Sequence, residues 1–150
     1  MEDDNLHDGH ELRRPLGMTL LSGLYLFFFL LTASSYGQPI PFMGAIYQGT
    51  PAEALVIVDS VICLYLLLGI MKCQRLTWYV LLGYNVFEVV NTLINLLLIT
   101  STELEKVIDE KVDASGLVAS NISVMVAIIL LSGFIFRQRG YFSNRSKYLF

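Results

Sequence analysis

Residues 52–71, AEALVIVDSVICLYLLLGIM, and residues 77–100, TWYVLLGYNVFEVVNTLINLLLIT, are two long apolar runs joined by a short polar connector. Each run carries one acidic residue well inside it, Asp59 in the first and Glu88 in the second. A helix rises about 1.5 Å per residue, so Asp59 would lie roughly 18 Å and Glu88 roughly 16 Å from the connector. An antiparallel helical hairpin would therefore bring the two carboxyl groups to nearly the same depth.

The composition is typical of a membrane protein rather than of a soluble domain. Of the 150 residues, 55% are hydrophobic and 15% are charged, and the mean hydropathy is +0.60. A helix needs about 20 apolar residues to cross a bilayer, and four runs are long enough: residues 18–35, 52–71, 77–100 and 115–136. The sequence therefore predicts an all-α, polytopic membrane protein, with four transmembrane helices in an antiparallel bundle that forms one domain over residues 15–136.

Residues 1–14 are predicted to form a polar cytoplasmic tail. Because this tail is mostly polar and acidic and no small-residue cleavage site follows, we expect the first apolar run to remain as a span rather than a cleaved signal peptide. His7 and His10 have the i, i+3 spacing of a helical metal-binding pair. Gly9 loosens that arrangement, so a solvated tail is the favoured interpretation, and we predict neither a metal site nor a cofactor.

The distribution of basic residues predicts the orientation, because Lys and Arg are retained on the cytoplasmic side. Eight of the ten basic residues fall on one side of the predicted spans: Arg13, Arg14, Lys72, Arg75, Arg137, Arg139, Arg145 and Lys147. The other side receives an uncharged loop and an acidic segment. We therefore predict a multi-pass protein of the cell membrane with both termini cytoplasmic, including a basic and aromatic tail over residues 137–150.

The third apolar run has a polar stripe along one face. At 100° per residue, six side chains fall within roughly 60° on either side of Glu88 or at that position: Tyr84, Asn85, Glu88, Asn91, Thr92 and Asn95. Such a stripe cannot face lipid, since each unpaired amide or carboxyl group there would cost kilocalories. We predict an intramembrane polar network made of this stripe and Asp59.

The first apolar run suggests lipid or subunit contacts. Its bulky row from Tyr25 to Phe29 is expected to face lipid or another subunit, while Thr32, Ser34 and Ser35 are expected to bond back to helix carbonyl groups.

The two outer segments differ in character. Residues 36–51 contain three prolines and three glycines but no charge, and we expect this loop to lie against the membrane surface, with a re-entrant loop as the alternative. Residues 101–114 place Leu104, Val107 and Ile108 at helical spacing among charged residues. This segment is expected to form an amphipathic outer helix between spans three and four, or an extension of the third span.

Two local patterns carry a resemblance. Arg14-Pro15-Leu16-Gly17 leads into an apolar helix, and residues 69–72 are followed, after a basic connector, by Trp78-Tyr79. Together they resemble a broad group of small, mostly uncharacterised prokaryotic four-helix integral membrane proteins. The resemblance implies the topology alone and no catalytic residue.

No nucleophile with a neighbouring base, phosphate loop or flavin motif is present, so the sequence does not predict an enzyme. The favoured interpretation is an interaction or accessory subunit in which Asp59 and Glu88 belong to a buried structural network. The alternative is an oligomeric transporter or channel in which the same carboxyl groups exchange a proton or cation.

The expected partners follow from the same features. They are the lipid bilayer and further copies or other membrane subunits. Anionic headgroups are expected near Arg137, Arg139, Arg145 and Lys147, and nucleic acid is not expected.

Overall fold

The computed structural model of the chain describes residues 15–108 and 113–144. It is helical apart from one short hairpin, and its elements are, in order, α1 (Leu16–Ser34), β1 (Ile40–Phe42), β2 (Ala45–Tyr47), α2 (Thr50–Met71), α3 (Arg75–Leu98), α4 (Ser101–Ile108), α5 (Ala114–Arg137) and a 3₁₀ turn (Gln138–Tyr141). Four of these helices, α1, α2, α3 and α5, are long and apolar enough to cross a membrane. The predicted tail 1–14 and the tail residues Arg145 and Lys147 lie outside the described residues.

Local sequence explains where the helices begin. Pro51 occupies the first turn of α2, where the missing N–H of proline has no helical partner to lose. At the start of α5, the side chain of Asp113 accepts hydrogen bonds from the backbone N–H groups of Ser115 and Gly116. Because such signals stand beside long apolar runs, each long helix begins and ends within two residues of its predicted span.

The helices pack most extensively in two pairs. α1 lies along α2 and α3 lies along α5, whereas α2 and α3 contact each other over a shorter length. The two helices approach closely at Gly69, where an added Cβ atom would overlap the side chain of Thr77. The chain then reverses through Cys73, which has a φ of +52°, and the Gln74 N–H bonds to the Gly69 carbonyl over 3.0 Å. A glycine at position 69 therefore permits the close turn between the two helices.

The well-packed core occupies only one end of the molecule. Its fully buried members come from the first half of α1, the end of α2, the start of α3 and the end of α5: Met18, Leu21, Tyr25, Leu66, Ile70, Leu81 and Ile135. The same end carries Lys72, Arg75, Arg137 and Arg139. The opposite half has fewer buried residues and contains most of the cavities described below.

A β-hairpin stands where an irregular loop was expected. β1 and β2 pair antiparallel, with Pro41 opposite Ile46. The two residues between the strands, Met43 and Gly44, both have positive φ values, +48° and +83°, as the type I′ hairpin turn requires. The sequence did not reveal this hairpin because Met-Gly is not one of the usual turn pairs and the flanking prolines argue against strands.

The short helix α4 comes between α3 and α5 in the chain. Leu104 and Val107 on it are half-buried, while Thr102, Glu103 and Lys106 are exposed. Its first turn is held by a reciprocal pair of bonds, because Glu103 accepts from the Thr100 N–H over 3.0 Å and donates its own N–H to the Thr100 hydroxyl over 3.3 Å. The Glu103 carboxylate accepts from both the N–H and the hydroxyl of Thr100, and these two bonds lower the pKa of the Glu103 carboxyl.

Candidate polar site

Asp59 is the centre of a cluster that joins three helices. The Tyr84 hydroxyl on α3 donates a hydrogen bond of 2.6 Å to one carboxylate oxygen of Asp59. The Thr32 hydroxyl on α1 donates to the other oxygen over 3.1 Å. The Cys63 sulfur, one turn along α2 from Asp59, lies 3.6 Å from the Tyr84 hydroxyl. Both carboxylate oxygens of Asp59 are therefore hydrogen-bonded by side chains of neighbouring helices.

Glu88 lies one helical turn beyond Tyr84, on the same face of α3. It is half-buried, hydrogen-bonded to the Asn91 side chain and close enough to Asp59 for the two charges to interact. Two carboxylates held in one poorly hydrated region repel each other when both are ionised. The two carboxyl groups are therefore electrostatically coupled.

Two cavities adjoin this pair of carboxylates. The smaller, of about 360 Å³, lies beside the β-hairpin and is bordered by Ile40, Pro41 and Phe42. The larger, of about 490 Å³, is bordered by all four long helices, with Phe28 on α1 and Ile128 on α5 among its apolar walls. Thr32, Asp59, Tyr84 and Glu88 border both cavities. The carboxyl groups are consequently next to open space rather than enclosed by packed side chains.

Asn85 belongs to the polar stripe but lies apart from the Asp59 cluster, in the half of the molecule that contains the well-packed core. It is 3% exposed, its oxygen accepts a bond of 2.9 Å from the Tyr25 hydroxyl on α1, and its NH₂ group donates to the Ser132 hydroxyl on α5 over 3.1 Å. The expectation that Tyr25 faces lipid or another subunit is wrong, because its ring is fully buried. Burying its hydroxyl requires the hydrogen bond that Asn85 supplies.

The outer part of the stripe holds the hairpin. The Asn91 side-chain oxygen accepts a 2.9 Å bond from the Met43 N–H, and the Asn95 oxygen accepts a 2.7 Å bond from the Gly44 N–H. The Asn95 NH₂ group also donates to the Pro41 carbonyl over 3.1 Å. Two amide side chains of α3 thus supply hydrogen-bond partners to backbone groups at the tip of the hairpin. Backbone N–H and C=O groups need such partners wherever water does not supply them.

Thr92 has a different environment from its neighbours. It borders a third cavity of about 290 Å³, together with Asn91, Asn95 and residues of α4 and α5 that include Leu104 and Asn121. The predicted stripe is therefore divided among four surroundings: the carboxylate cluster with Tyr84 and Glu88, the buried hydrogen bonds of Asn85, the hairpin contact of Asn91 and Asn95, and the third cavity beside Thr92.

Several partners of the stripe were not identified from the sequence. Thr32 was expected to bond to its own helix, as Ser34 and Ser35 do at the Leu31 carbonyl, but its hydroxyl binds Asp59 instead. Ser132 lies in the predicted inner half of the fourth span, which is almost wholly aliphatic. A lone hydroxyl on an apolar helix face was the available signal. The Ser132 hydroxyl donates to the Ile128 carbonyl of its own helix over 2.8 Å, as such residues often do, and it accepts the bond from Asn85 at the same time.

The chemistry available at this cluster is limited. Within residues 15–108 and 113–144, no group of three or more His, Cys, Asp or Glu side chains is placed to hold a metal ion. Both cysteines are free thiols, Cys63 being buried and Cys73 half-buried. The arrangement can fix helices through hydrogen bonds, and the carboxyl groups can take up or release protons beside a cavity.

Comparison with known proteins gives no relative, because no family model, curated protein or solved structure matches the chain. The resemblance to small four-helix membrane proteins therefore stays a prediction.

Proposed function

We propose that the chain is a non-enzymatic integral membrane protein that acts as an interaction or accessory subunit, with a buried polar network centred on Asp59 and Glu88. The observation that carries this proposal is the set of hydrogen bonds that the polar stripe of α3 makes to the rest of the chain. Tyr84 hydrogen-bonds α2, Asn85 hydrogen-bonds both α1 and α5, and Asn91 and Asn95 hydrogen-bond the turn of the hairpin. Side chains occupied in this way hold helices in register rather than performing catalysis.

The proposed topology is an antiparallel four-helix bundle in the cell membrane, with both termini in the cytoplasm. It is supported by Lys72, Arg75, Arg137 and Arg139, which share one end of the molecule, together with the retention of basic residues on the cytoplasmic side. Under this topology α4 is an amphipathic helix of the outer loop, with its half-buried Leu104 and Val107 turned inward.

The proposed partners are the bilayer and either further copies of the chain or other membrane subunits. Large apolar side chains point outward along the spans, including Leu20 at 62% exposed and Leu130 at 70% exposed. Lipid tails or neighbouring helices cover such side chains in a membrane. The basic residues near the end of α5 are proposed to lie beside anionic headgroups, and neither nucleic acid nor a cofactor is proposed.

A second candidate function is proton- or cation-coupled transport by an oligomer. It is favoured by the two cavities of about 360 and 490 Å³ that meet at Asp59 and Glu88. Ionisable groups inside a membrane that adjoin open space are typical of ion pathways. Under this alternative, Glu88→Gln abolishes the pH dependence of transport, whereas a structural network tolerates the same change because the amide keeps the shape and hydrogen bonds.

The accessory function is tested by extracting the native protein in a mild detergent and measuring the mass of the particle by native mass spectrometry. One chain has a mass of 16.9 kDa. The proposal expects a complex of stoichiometric composition, either a homo-oligomer or an assembly with a second membrane protein. A monomer that carries no partner under these conditions contradicts it.

A further inference from the structure

A cavity of about 410 Å³ lies at the basic end of the molecule, between the first turn of α3 and the turn that follows α5. Its volume falls within the range of pockets that hold small ligands, about 300–1,000 Å³. Two arginines, three aromatic residues and two small residues border it: Arg75, Arg139, Trp78, Tyr79, Phe142, Gly140 and Ser143. None of these seven residues is acidic.

The Arg139 guanidinium is held in place by Trp78. It lies over the indole ring, 5.2 Å from the ring centroid, in the geometry of a cation–π contact. The ring itself is fixed, since it is 6% exposed and its Nε1–H donates to the Ile135 carbonyl over 3.1 Å. Arg139 is thus a positioned cation rather than a freely moving one.

The Arg75 side of the cavity is fixed by the backbone. The Arg75 N–H donates to the Asn144 carbonyl over 2.9 Å, and the Asn144 N–H donates to the Cys73 carbonyl over 3.1 Å. These two bonds hold the segment after α5 against the connector between α2 and α3. They bring Arg75 and Arg139 to the same cavity, although the two residues are 64 positions apart in the sequence.

Two guanidinium groups that border one cavity repel each other unless an anion lies between them. Arginine suits phosphate because its planar fork donates paired hydrogen bonds to two oxygens. The Tyr79 ring, 50% exposed, lies at the same level, and tyrosine is typical of the headgroup region. Exposed apolar side chains are close to the residues that border the cavity. Leu76, next to Arg75 in the chain, is 49% exposed, and Phe136, whose ring centroid is 5.9 Å from that of Trp78, is 60% exposed.

We propose that this cavity binds the phosphate group of an anionic phospholipid between Arg75 and Arg139. A lipid is favoured over a soluble phosphate compound because the exposed apolar side chains next to the cavity continue along α3 and α5, where acyl chains would lie. The proposal rests on the membrane placement proposed above but not on the accessory or transport function. It refines the expected headgroup contacts by adding Arg75 and leaving Arg137 outside the site.

The test measures lipid binding by native mass spectrometry of the full-length protein titrated with phosphatidylglycerol, with phosphatidylcholine as the uncharged comparison. Arg75→Gln and Arg139→Gln remove one guanidinium each, and the double variant removes both. The matched control is Arg137→Gln, because Arg137 is exposed and does not border the cavity. Carbonate extraction of the membranes first establishes that each variant is membrane-embedded, and circular dichroism that it is folded.

We expect each single variant to weaken phosphatidylglycerol binding roughly tenfold, as the loss of a charged hydrogen-bond partner does, and the double variant to bind it no better than phosphatidylcholine. Arg137→Gln is expected to stay within about twofold of the wild type. Unchanged binding by the folded double variant overturns the proposal. Displacement of the lipid by millimolar glycerol phosphate or inorganic phosphate overturns the lipid assignment, because the site would then hold a soluble anion.

Discussion

The Tyr84 hydroxyl and the Asp59 carboxylate are joined by a 2.6 Å hydrogen bond that links α3 to α2. The Tyr84→Phe variant removes only this hydroxyl. We expect it to lower the free energy of unfolding in detergent by about 1 kcal/mol, because hydrogen bonds between membrane helices contribute about 0.6–2 kcal/mol.

The control is Tyr65→Phe on α2. Tyr65 is half-buried, and its hydroxyl makes no hydrogen bond to any residue in the part of the chain that the structure describes. If chemical unfolding showed the same change in the free energy of unfolding for both substitutions, the hydrogen bond to Asp59 would not be what stabilises the contact between α2 and α3.

A second prediction concerns the close approach of α2 and α3. A Cβ atom at Gly69 would overlap the side chain of Thr77, which is fully buried. Gly69→Ala is therefore expected to lower the free energy of unfolding by about 1–3 kcal/mol, the usual cost of overpacking.

Gly83→Ala on α3 is the matched control, since nothing lies within 4 Å of the added methyl group. Thermal unfolding should find this variant as stable as the wild type or slightly more stable. A Gly69→Ala protein with an unchanged Tm would show that the two helices are farther apart than described.

A third prediction concerns the hairpin. Asn95→Ala removes the oxygen that accepts the Gly44 N–H over 2.7 Å. Hydrogen exchange at Gly44 is expected to become roughly tenfold faster, because a net hydrogen bond contributes about 0.5–1.5 kcal/mol. Asn121→Ala is the control, since the NH₂ group of Asn121 donates to the Leu117 carbonyl of its own helix, its one hydrogen-bond acceptor within residues 15–108 and 113–144. Equal protection of Gly44 in all three proteins would refute the docking of the hairpin on α3.

A fourth prediction concerns pH at the start of α5. Hydrogen bonds from Ser115 and Gly116 hold the pKa of the Asp113 carboxyl below its ordinary value. A carboxyl with a lowered folded-state pKa stabilises the helix start at pH values above about 4, its pKa when unfolded. That stabilisation is lost as the pH falls through the lower, folded-state pKa.

Hydrogen exchange at Ser115 and Gly116 checks this effect, with Asp113→Asn as the comparison at each pH. Asparagine is also a good cap but does not titrate. The ratio of protection between wild type and variant is expected to be constant above pH 5 and to fall below pH 4. A ratio that does not change with pH would exclude the ionised Asp113 as the cap.

The positions of the helices could be predicted because apolar length and proline placement are local properties of the sequence. The polar face of α3 could be predicted for the same reason. The hydrogen-bond partners of the polar residues could not be predicted. Helix periodicity does not reveal that Tyr25 and Ser132 both bond to Asn85, or that Thr32 bonds to Asp59. The hairpin was missed because its turn, Met43-Gly44, depends on acceptors supplied by Asn91 and Asn95, about 50 positions away in the chain.

The most direct test of the central claim is proton and monovalent-cation flux in proteoliposomes that contain the wild type or Glu88→Gln, measured at two pH values. A network that holds the helices together predicts no flux above empty liposomes for either protein, and equal folding of both. Wild-type flux that Glu88→Gln abolishes would contradict the accessory function and establish the carboxylates beside the cavities as a transport pathway.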